Sequence, residues 1–409
     1  MVQYEFALDG DERLTLDEFT TELARWRRYG KETIVDDYSG VPVFVNEFWT
    51  SKQRAAHSLH EISYRACFKP QLPRFFITRL TDPGNVVFDP FMGRGTTLLE
   101  AALHGRETLG NDVNPLSRVL LEPRLNPPAP AEVEARLQSL SLDGPAAHPD
   151  GFDVFFHERT LNQICRLREY LRERHADGRA DTVDRWIRMV AINRLTGHSK
   201  GFFSVYTLPP NQAASIERQR KNNARRNLQP EYRDVAAVIV RKTRSLLRDM
   251  RRQAPAGRNH GFFRQPVGAP FAYDGPPVSL AVTSPPFMNI VNYKGDNWMR
   301  CWFAGIDPDT VGITQTGRLD AWKALVRGAL DNTAAICRPA AIFAFEVGEI
   351  RGGALLLDQI VADVARETEW EPVCVVVNAQ VFTKTSNTWG IDNNRAGTNS
   401  NRIVVLRRR

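Results

Sequence analysis

Short apolar runs alternate with stretches of helical periodicity along much of this chain. The runs at 85–88 and Val278–Thr283 are mostly hydrophobic, which is typical of buried parallel strands. Helices are predicted at Gln71–Leu80 and 96–104, and a second strand is predicted at 107–110. A strand, a tight turn, a helix and a strand in this order predict an α/β fold with a doubly wound, Rossmann-like sheet.

A mostly helical section interrupts the α/β pattern. Proline-rich sequence over 125–150 marks its start, and apolar residues then recur at helical spacing. The pattern predicts an N-terminal extension at 1–60, a main domain formed by 61–125 and 256–409, and a helical insertion at 126–255. Later strands are predicted at 342–346, 373–377 and 403–406.

The composition is that of a soluble globular protein with a basic surplus. Of the 409 residues, 42% are hydrophobic and 25% are charged, and the formal net charge of +7 suits a polyanionic partner. No apolar run approaches the roughly 20 residues that span a bilayer, so no membrane association is predicted. The five cysteines are scattered without a CxxC pair. We therefore predict no metal site, no disulfide framework and a cytoplasmic location.

The turn after the first buried strand reads Asp89-Pro-Phe-Met-Gly-Arg-Gly-Thr-Thr. Gly93 and Gly95 allow the backbone to approach a ligand closely, and Asp89 can interact with an ammonium group. Asp112 follows the second strand, 23 residues after Asp89, where an acid is expected to bind ribose hydroxyls. A dinucleotide site is the alternative, but Leu98 stands where the third glycine of its GxGxxG motif would be.

A second motif, Ser284-Pro285-Pro286-Phe287, directly follows the apolar run Val278–Thr283. Together with residues 89–97 it resembles the amino-DNA methyltransferases, the N4-cytosine and N6-adenine enzymes of restriction-modification systems. Residues 64–73 resemble a further motif of that family, which lines the site for S-adenosylmethionine (SAM). The resemblance implies a Rossmann-like SAM methyltransferase sheet with SAM as cofactor and no metal. It assigns the SAM site to Asp89, Pro90, Phe91, Gly93, Gly95, Thr96, Asp112, Phe68 and Lys69.

The second motif is suited to activating an exocyclic amine, whose lone pair is delocalised into the base. The Ser284 hydroxyl and the Pro285 carbonyl can accept the two N–H bonds and favour a tetrahedral nitrogen. Pro285 and Pro286 have a fixed φ and no N–H, which stiffens the loop. Phe287 is expected to stack on a base flipped out of the duplex. The four residues of the motif are the predicted catalytic residues, and a structural loop entry is the alternative.

The target base is predicted from the letters of this motif. In the resembling family, an initial Ser with a final Phe is commoner among N4-cytosine enzymes, so that base is favoured over N6-adenine. A C5-cytosine enzyme needs a nucleophilic cysteine after a proline. None of the five cysteines follows a proline, which argues against that chemistry.

Positive charge is concentrated between residues 217 and 252. This segment has twelve basic and four acidic residues, so the rest of the chain is close to neutral. Contacts to nucleic-acid phosphates and a solvated helix face are equal interpretations. The insertion is the candidate target-recognition region. The residues predicted to contact nucleic acid are Arg218, Lys221, Arg225, Arg226, Arg241 and Lys242.

The predicted function is a SAM-dependent methyltransferase that modifies N4 of cytosine in duplex DNA at a short recognition sequence. A restriction endonuclease on a separate chain is the candidate second partner. N6-adenine methylation, RNA base methylation and a catalytically silent nucleic-acid-binding protein are the alternatives. The contact to the SAM adenine, expected in 260–274, is not assigned.

Overall fold

A single large sheet with helices on both faces organises the chain. The computed structural model describes residues 13–50, 56–65, 67–286, 292–312, 318–350, 355–379 and 400–409. The strands are β1 Ile34–Tyr38, β2 Val41–Asn46, β3 Val86–Asp89, β4 Glu107–Asn111, β5 Asn259–Phe263, β6 Val278–Thr283, β7 Cys337–Val347, β8 Glu349–Ile350, β9 Leu355–Leu356, β10 Trp370–Ala379 and β11 Ser400–Arg408.

The helices confirm most of the sequence-based elements, including the predicted helix before β3. They are α1 Leu16–Ala24, α2 Gln71–Leu80, α3 Thr96–Leu103, α4 Pro115–Leu125, α5 Pro130–Ser139, α6 Glu158–Ala176, α7 Thr182–Ile192, α8 Ile216–Arg226, α9 Val235–Leu246, α10 Tyr293–Ala304, α11 Leu319–Ile336 and α12 Leu357–Arg366.

The strand order confirms the doubly wound, Rossmann-like fold. It runs β1-β2-β10-β11-β7-β6-β3-β4-β5, and β7, β6, β3, β4 and β5 are parallel to their neighbours in that series. β11 is antiparallel to both β7 and β10. From β3 the chain adds β4 and β5 on one side, and it later adds β6 and β7 on the other. The carboxyl ends of β3 and β6 therefore flank the point where the winding reverses, which is where such sheets bind ligands.

Each face of the sheet is covered by its own hydrophobic core. On one face, α11 and α12 bury Trp322, Val326 and Val361 against alternate residues of β7 and β10. On the other face, Phe75 and Phe76 of α2 pack against β6 and the N-terminal helix. β3 and β6 are buried along their entire length because both of their faces are covered.

The predicted insertion at 126–255 is helical, containing α5 to α9. Its core continues into that of the sheet: Trp186 and Ile187 of α7 share one cluster with Leu98 of α3 and Leu121 of α4. The predicted N-terminal extension also joins the sheet, since β2 pairs in parallel with β10. The boundaries given above for the three parts remain predictions.

Five strands were not predicted from the sequence: β1, β2 and β5 of the large sheet, and the two-residue strands β8 and β9. β1 and β2 form a hairpin whose turn residues Ser39 and Gly40 both have positive φ, at 51° and 81°. β5 lies at the opposite edge of the sheet and is only half-buried, so its hydrophobic pattern is weak.

Candidate functional site

The carboxyl ends of β3 and β6 open into a cavity of about 310 Å³. Both sequence motifs contribute to its wall, because Asp89 ends β3 and Ser284 follows β6 directly. Seven of the nine residues predicted for the SAM site line the cavity, as do three of the four predicted catalytic residues. They are Phe68, Asp89, Pro90, Phe91, Gly93, Thr96, Asp112, Ser284, Pro285 and Pro286.

Hydrogen bonds within the loop from β3 to α3, and from this loop to β4, hold it in shape. The N–H of Phe91 donates to Oδ1 of Asp89 at 3.1 Å, and the N–H of Met92 donates to the Asn111 carbonyl at 3.0 Å. Gly93 has a φ of +50°, and a Cβ there would lie 3.6 Å from Sγ of Cys67, which lines the cavity. A side chain at this position would thus reduce the space for a ligand.

Asp89 is buried at the base of the cavity, with 2% of its surface exposed. Its Oδ1 accepts a hydrogen bond of 2.5 Å from Oγ1 of Thr283, the last residue of β6. Burial raises the pKa of Asp89 to about 7, although the bonds from Thr283 and the Phe91 N–H oppose the rise. A carboxylate so desolvated gains from a cationic partner, such as an ammonium group in the cavity.

Asp112, which directly follows β4, also supports the loop from β3 to α3. Its Oδ2 accepts the N–H of Gly93 at 2.8 Å, and its Oδ1 accepts the N–H of Asn114 at 2.8 Å. Burial raises the pKa of this carboxyl, and the two backbone N–H donors counter that effect. Each oxygen keeps a lone pair free of these bonds, which can accept a hydroxyl from a ligand.

The loop after β6 is anchored next to the β3 loop. Oγ1 of Thr97, on α3, donates to the Val282 carbonyl at 3.1 Å. Ser284 is half-buried and Pro285 is buried, and both face the cavity together with Pro286. Phe287, the fourth predicted catalytic residue, lies outside the described residues.

Gly95 and Lys69 do not line the cavity. Gly95 caps α3 with a φ of +76°, and a Cβ there would lie 2.5 Å from the side chain of Leu121. The close neighbour of Gly95 is thus α4, and its contact with SAM stays a prediction. Lys69 precedes α2, and burial together with the Arg94 charge lowers its pKa.

Several residues of the cavity wall were not predicted from the sequence. Asn111 is buried at the end of β4, and its Nδ2 donates to the Pro90 carbonyl at 3.0 Å and the Gln265 carbonyl at 3.2 Å. This joins the β3 loop to residues 265–268, which follow β5 and form a wall of the cavity. These four residues lie within 260–274, the stretch in which the contact to the SAM adenine is expected.

Two tyrosines complete the wall. Tyr64 accepts a 3.2 Å hydrogen bond from Nδ2 of Asn114, and its ring centroid is 6.4 Å from that of Tyr293 at the start of α10. Trp298 and Trp302, further along α10, instead pack against Phe152 in the core of the insertion, with ring centroids 5.7 and 4.7 Å away.

The basic residues of α8 form a separate exposed surface. Arg218, Lys221 and Arg225 recur at spacings of three and four residues, so they share one face of the helix, and all three are exposed. Within the described residues, no carboxylate lies within ion-pair distance of these side chains. The opposite face anchors α8, because Gln219 and Asn223 donate to the Tyr206 and Val154 carbonyls at 2.9 and 2.7 Å.

The other predicted nucleic-acid contacts differ among themselves. Arg226 lies over the Tyr206 ring at 4.8 Å and remains exposed, as does Arg241 on α9. Lys242 is the exception, since its side chain is 13% exposed and its Nζ is 3.4 Å from Oε2 of Glu61. Burial lowers the pKa of Lys242 to about 8. In the structure Lys242 joins α9 to the segment before α2, and its contact with phosphates stays a prediction.

Metal-binding groups and membrane-spanning helices were searched for in the described residues. In the described part of the chain, no group of three or more His, Cys, Asp or Glu side chains could hold a metal ion. No helix there is long and apolar enough to cross a membrane.

The cavity fits the cofactor that the sequence resemblance implies. Its volume lies in the range of small-molecule sites. Asp89 offers a buried carboxylate for an ammonium group, and Asp112 offers oxygens for ribose hydroxyls. Phe91 and Val267 supply apolar wall for a purine ring.

Comparison with known proteins gives a match to one family model and to several relatives. Residues 20–116 match a family model described as DNA methylase, of the N6 and N4 type. Type II methyltransferase M.MvaI of Kocuria varians is 35% identical over 94 residues, which are 22% of this chain and 20% of that protein. Type II methyltransferase M.MjaII of Methanocaldococcus jannaschii is 36% identical over 77 residues, which are 19% of this chain and 14% of that protein.

These alignments span a fifth or less of the relatives' own length. Among solved structures, an rRNA methyltransferase, aviRa of Streptomyces viridochromogenes, is 12% identical with a TM-score of 0.35. The alignment covers 88% of this chain and 94% of that one. At this TM-score the likeness adds nothing to what the sheet itself shows.

Proposed function

We propose that this chain is an amino-DNA methyltransferase that transfers a methyl group from SAM to N4 of cytosine in duplex DNA, as its matches to the DNA methylase family model and to two type II methyltransferases suggest. The observation that carries the proposal is the meeting of two distant motifs in one cavity. Asp89 ends β3, Ser284 directly follows the neighbouring parallel strand β6, and both line the same cavity.

The chain's own residues provide for binding SAM. Asp89 would hold the ammonium group of the methionine part, and Asp112 would accept ribose hydroxyls while it keeps the Gly93 loop in place. Residues 265–268 would border the adenine, since they form the wall beyond Asn111. When bound, SAM supplies an electrophilic methyl group on a sulfonium.

The Ser284 loop would activate the amine of the target base. The Ser284 hydroxyl and the Pro285 carbonyl accept its two N–H bonds, which directs the nitrogen lone pair out of the ring plane. Position and direction account for most of the rate in such a displacement. Two hydroxyl groups join the two motifs. Thr97 of α3 donates to the Val282 carbonyl of β6, and Thr283 of β6 donates to Asp89 at the end of β3.

The choice of cytosine rests on the letters Ser-Pro-Pro-Phe, and N6-adenine methylation by the same site is the alternative. RNA as the polymer and a silent binding protein are the further alternatives. The partner we propose is duplex DNA with a short recognition sequence, contacted at its phosphates by Arg218, Lys221 and Arg225. A companion restriction endonuclease on a separate chain and a cytoplasmic location complete the proposal.

Product analysis tests the activity. The purified protein is incubated with isotopically labelled SAM and mixed-sequence unmethylated duplex DNA, with single-stranded RNA in a parallel reaction. The nucleosides released by digestion are then separated by mass spectrometry. A Ser284→Ala plus Phe287→Ala variant tests the motif. Ser279→Ala, which changes a buried serine of β6 away from the cavity, is the matched control.

Each outcome has a distinct meaning. Labelled N4-methyl-2′-deoxycytidine that is lost in the double variant and kept in the control supports the proposal. Labelled N6-methyl-2′-deoxyadenosine would keep the site and overturn the base, whereas label in RNA alone would overturn the polymer. SAM binding without label in either polymer would mean a silent binding protein.

A further inference from the structure

A buried carboxyl group lies beside the Ser284 loop. Glu346 is the penultimate residue of β7, with 5% of its surface exposed. Its Oε1 accepts a 3.0 Å hydrogen bond from Nδ2 of Asn401 on β11. No ion pair joins it to a basic side chain in the described part of the chain. Acidic residues are rarely buried without a cationic partner, so this one needs an explanation.

The strand register makes Glu346 the neighbour of Ser284. β6 and β7 are parallel, with Thr283 opposite Phe345, so the next residues along the two strands are Ser284 and Glu346. Neighbouring strands lie roughly 4.8 Å apart. Ala344 lies two residues before Glu346 and belongs to the same core cluster as Val282 of β6, so Glu346 lies on the face of the sheet that this cluster covers.

A row of polar residues crosses the carboxyl edge of the sheet on this face. Asn46 is opposite Asn378 in the pairing of β2 with β10, and Asn378 is opposite Asn401 in the pairing of β10 with β11. Oδ1 of Asn378 accepts the Phe48 N–H at 2.7 Å, which is a structural task that an amide performs well. The first three residues of this row are asparagines, and the fourth, next to Ser284, is the acid Glu346.

We propose that Glu346 is a positioning residue that takes up, through the Ser284 hydroxyl, the proton that the target amine loses during methyl transfer. The inference rests on the proposed function and deepens it. It assigns the fate of the proton, which Ser284 and Pro285 as plain acceptors leave open.

Atoms and electrons balance in this step. The amine nitrogen forms a bond to the methyl carbon with its lone pair, while the carbon–sulfur bond breaks and its electron pair stays on sulfur. In the same step the nitrogen gives one proton to Oγ of Ser284, so that positive charge does not accumulate on the nitrogen. Ser284 passes its own hydroxyl proton to the Glu346 carboxylate, which becomes a neutral acid and later returns the proton to solvent.

The ionisation of Glu346 suits this task. Burial raises its pKa to about 7, and the Asn401 amide, which favours the carboxylate, opposes the rise. A group with this pKa is ionised in part at neutral pH and can both accept and release a proton. Of the charged groups on the elements around it, Arg402 of β11 pairs with Asp358 at 2.8 Å, and Lys69 and Arg74 lie at the amino end of α2.

The test is the pH profile of single-turnover methyl transfer, measured from pH 5.5 to 8.5 with labelled SAM and duplex DNA. SAM is kept saturating at every pH because Asp89 also titrates near pH 7 and would otherwise contribute through SAM binding. The variants are Glu346→Gln, which keeps the shape, and Glu346→Asp, which keeps the charge. Asp358→Asn is the matched control, since it alters a buried acid of α12 that pairs with Arg402.

For the wild-type protein we expect a rate that rises with pH through about 7 and then levels. Glu346→Gln should lower the plateau rate by about 10²-fold, the usual contribution of a proton acceptor, and remove the rise. Glu346→Asp should restore part of the rate together with the rise. Asp358→Asn should keep the wild-type pH profile, even where its thermal stability is reduced.

A Glu346→Gln variant with the wild-type rate and pH profile would overturn this inference and leave the proposed function standing. The same result with a lower thermal stability would show that Glu346 is merely structural. If the wild-type protein transfers no methyl group to either polymer, the proposed function fails first, and the inference falls with it.

Discussion

The Thr283 hydroxyl donates a 2.5 Å hydrogen bond to Oδ1 of Asp89, across 194 residues of sequence. This bond joins the end of β6 to the end of β3, the two strands at which the winding of the sheet reverses. The residue before the Ser284 motif therefore contacts the first residue of the turn that we assign to SAM. A substitution at the end of β6 should therefore alter the ionisation of Asp89 and the binding of SAM.

Thr283→Val should weaken SAM binding by about tenfold at pH 7.5. Valine has the shape of threonine without the hydroxyl, so Asp89 loses the donor that favours its ionised form, and its pKa rises further. Isothermal titration calorimetry with SAM measures the effect. Thr108→Val is the control, because Thr108 is a buried threonine of β4 whose hydroxyl donates to Asn259. Equal affinity in wild type and Thr283→Val would contradict this coupling.

SAM affinity itself should depend on pH through Asp89. The pKa of about 7 means that Asp89 becomes neutral as the pH falls, so the ammonium group of SAM loses its partner. The dissociation constant should rise by up to about tenfold per pH unit below the pKa of Asp89. Asp89→Asn should bind weakly at every pH, without this slope. A wild-type dissociation constant that is constant from pH 8 to 5.5 would refute the assignment.

Gly95→Ala should destabilise the fold by about 1–3 kcal/mol. The new Cβ would meet Leu121 at 2.5 Å, and the φ of +76° is unfavourable for alanine. The added substitution Leu121→Ala removes the steric part, so the double variant should lose less than the two single variants combined. Urea unfolding measures all three. Full additivity would show that Leu121 is not the obstacle and that the backbone angle alone requires glycine.

Salt dependence can distinguish phosphate binding from a solvated helix. Replacing Arg218, Lys221 and Arg225 by alanine should weaken duplex DNA binding. It should also reduce the slope of log K against log salt concentration by about 0.9 for each phosphate that is no longer neutralised. Fluorescence anisotropy at several salt concentrations gives the slope. Lys242→Ala is the control, since this side chain is buried against Glu61 and should leave the slope unchanged. A triple variant with the wild-type slope would leave α8 as a solvated face.

Much of the cavity wall could be predicted because each of the two motifs is a continuous stretch of sequence. Each directly follows a strand that is buried along its whole length, so the apolar run and the motif are seen together. Asn111 could not be recognised in this way. Its role depends on a contact with residue 265, 154 positions later, and an asparagine at the end of a strand also suits an ordinary turn.

Charge gives another example of what the sequence leaves open. Lys242 and Arg241 are neighbours in one basic run, yet one is buried against Glu61 and the other is exposed. Only the packing of α9 on the segment before α2 distinguishes them, and Glu61 lies 181 residues earlier. The importance of Glu346 is likewise hidden, because an acid inside a hydrophobic run acquires meaning only from its strand neighbours.

Glu346→Gln should stabilise the fold at pH 8, even if it abolishes turnover. The pKa of Glu346 is about 7 in the folded protein and near its ordinary value of 4.5 in the unfolded chain. Below pH 4.5 both states are protonated, and the residue has no effect of this kind. Between the two values the unfolded chain ionises first, so stability falls as the pH rises, and the loss is complete above pH 7.

Glutamine cannot ionise and still offers Oε1 to Asn401, so the variant should avoid a loss on the order of 1–3 kcal/mol. Thermal unfolding at pH 5 and pH 8 measures it: the variant's advantage should be small at pH 5 and larger at pH 8. A residue kept at the cost of stability is expected where it serves the reaction. A variant that is less stable than wild type at pH 8 would mean that stabilising contacts hold the carboxylate, and its burial would then need no functional explanation.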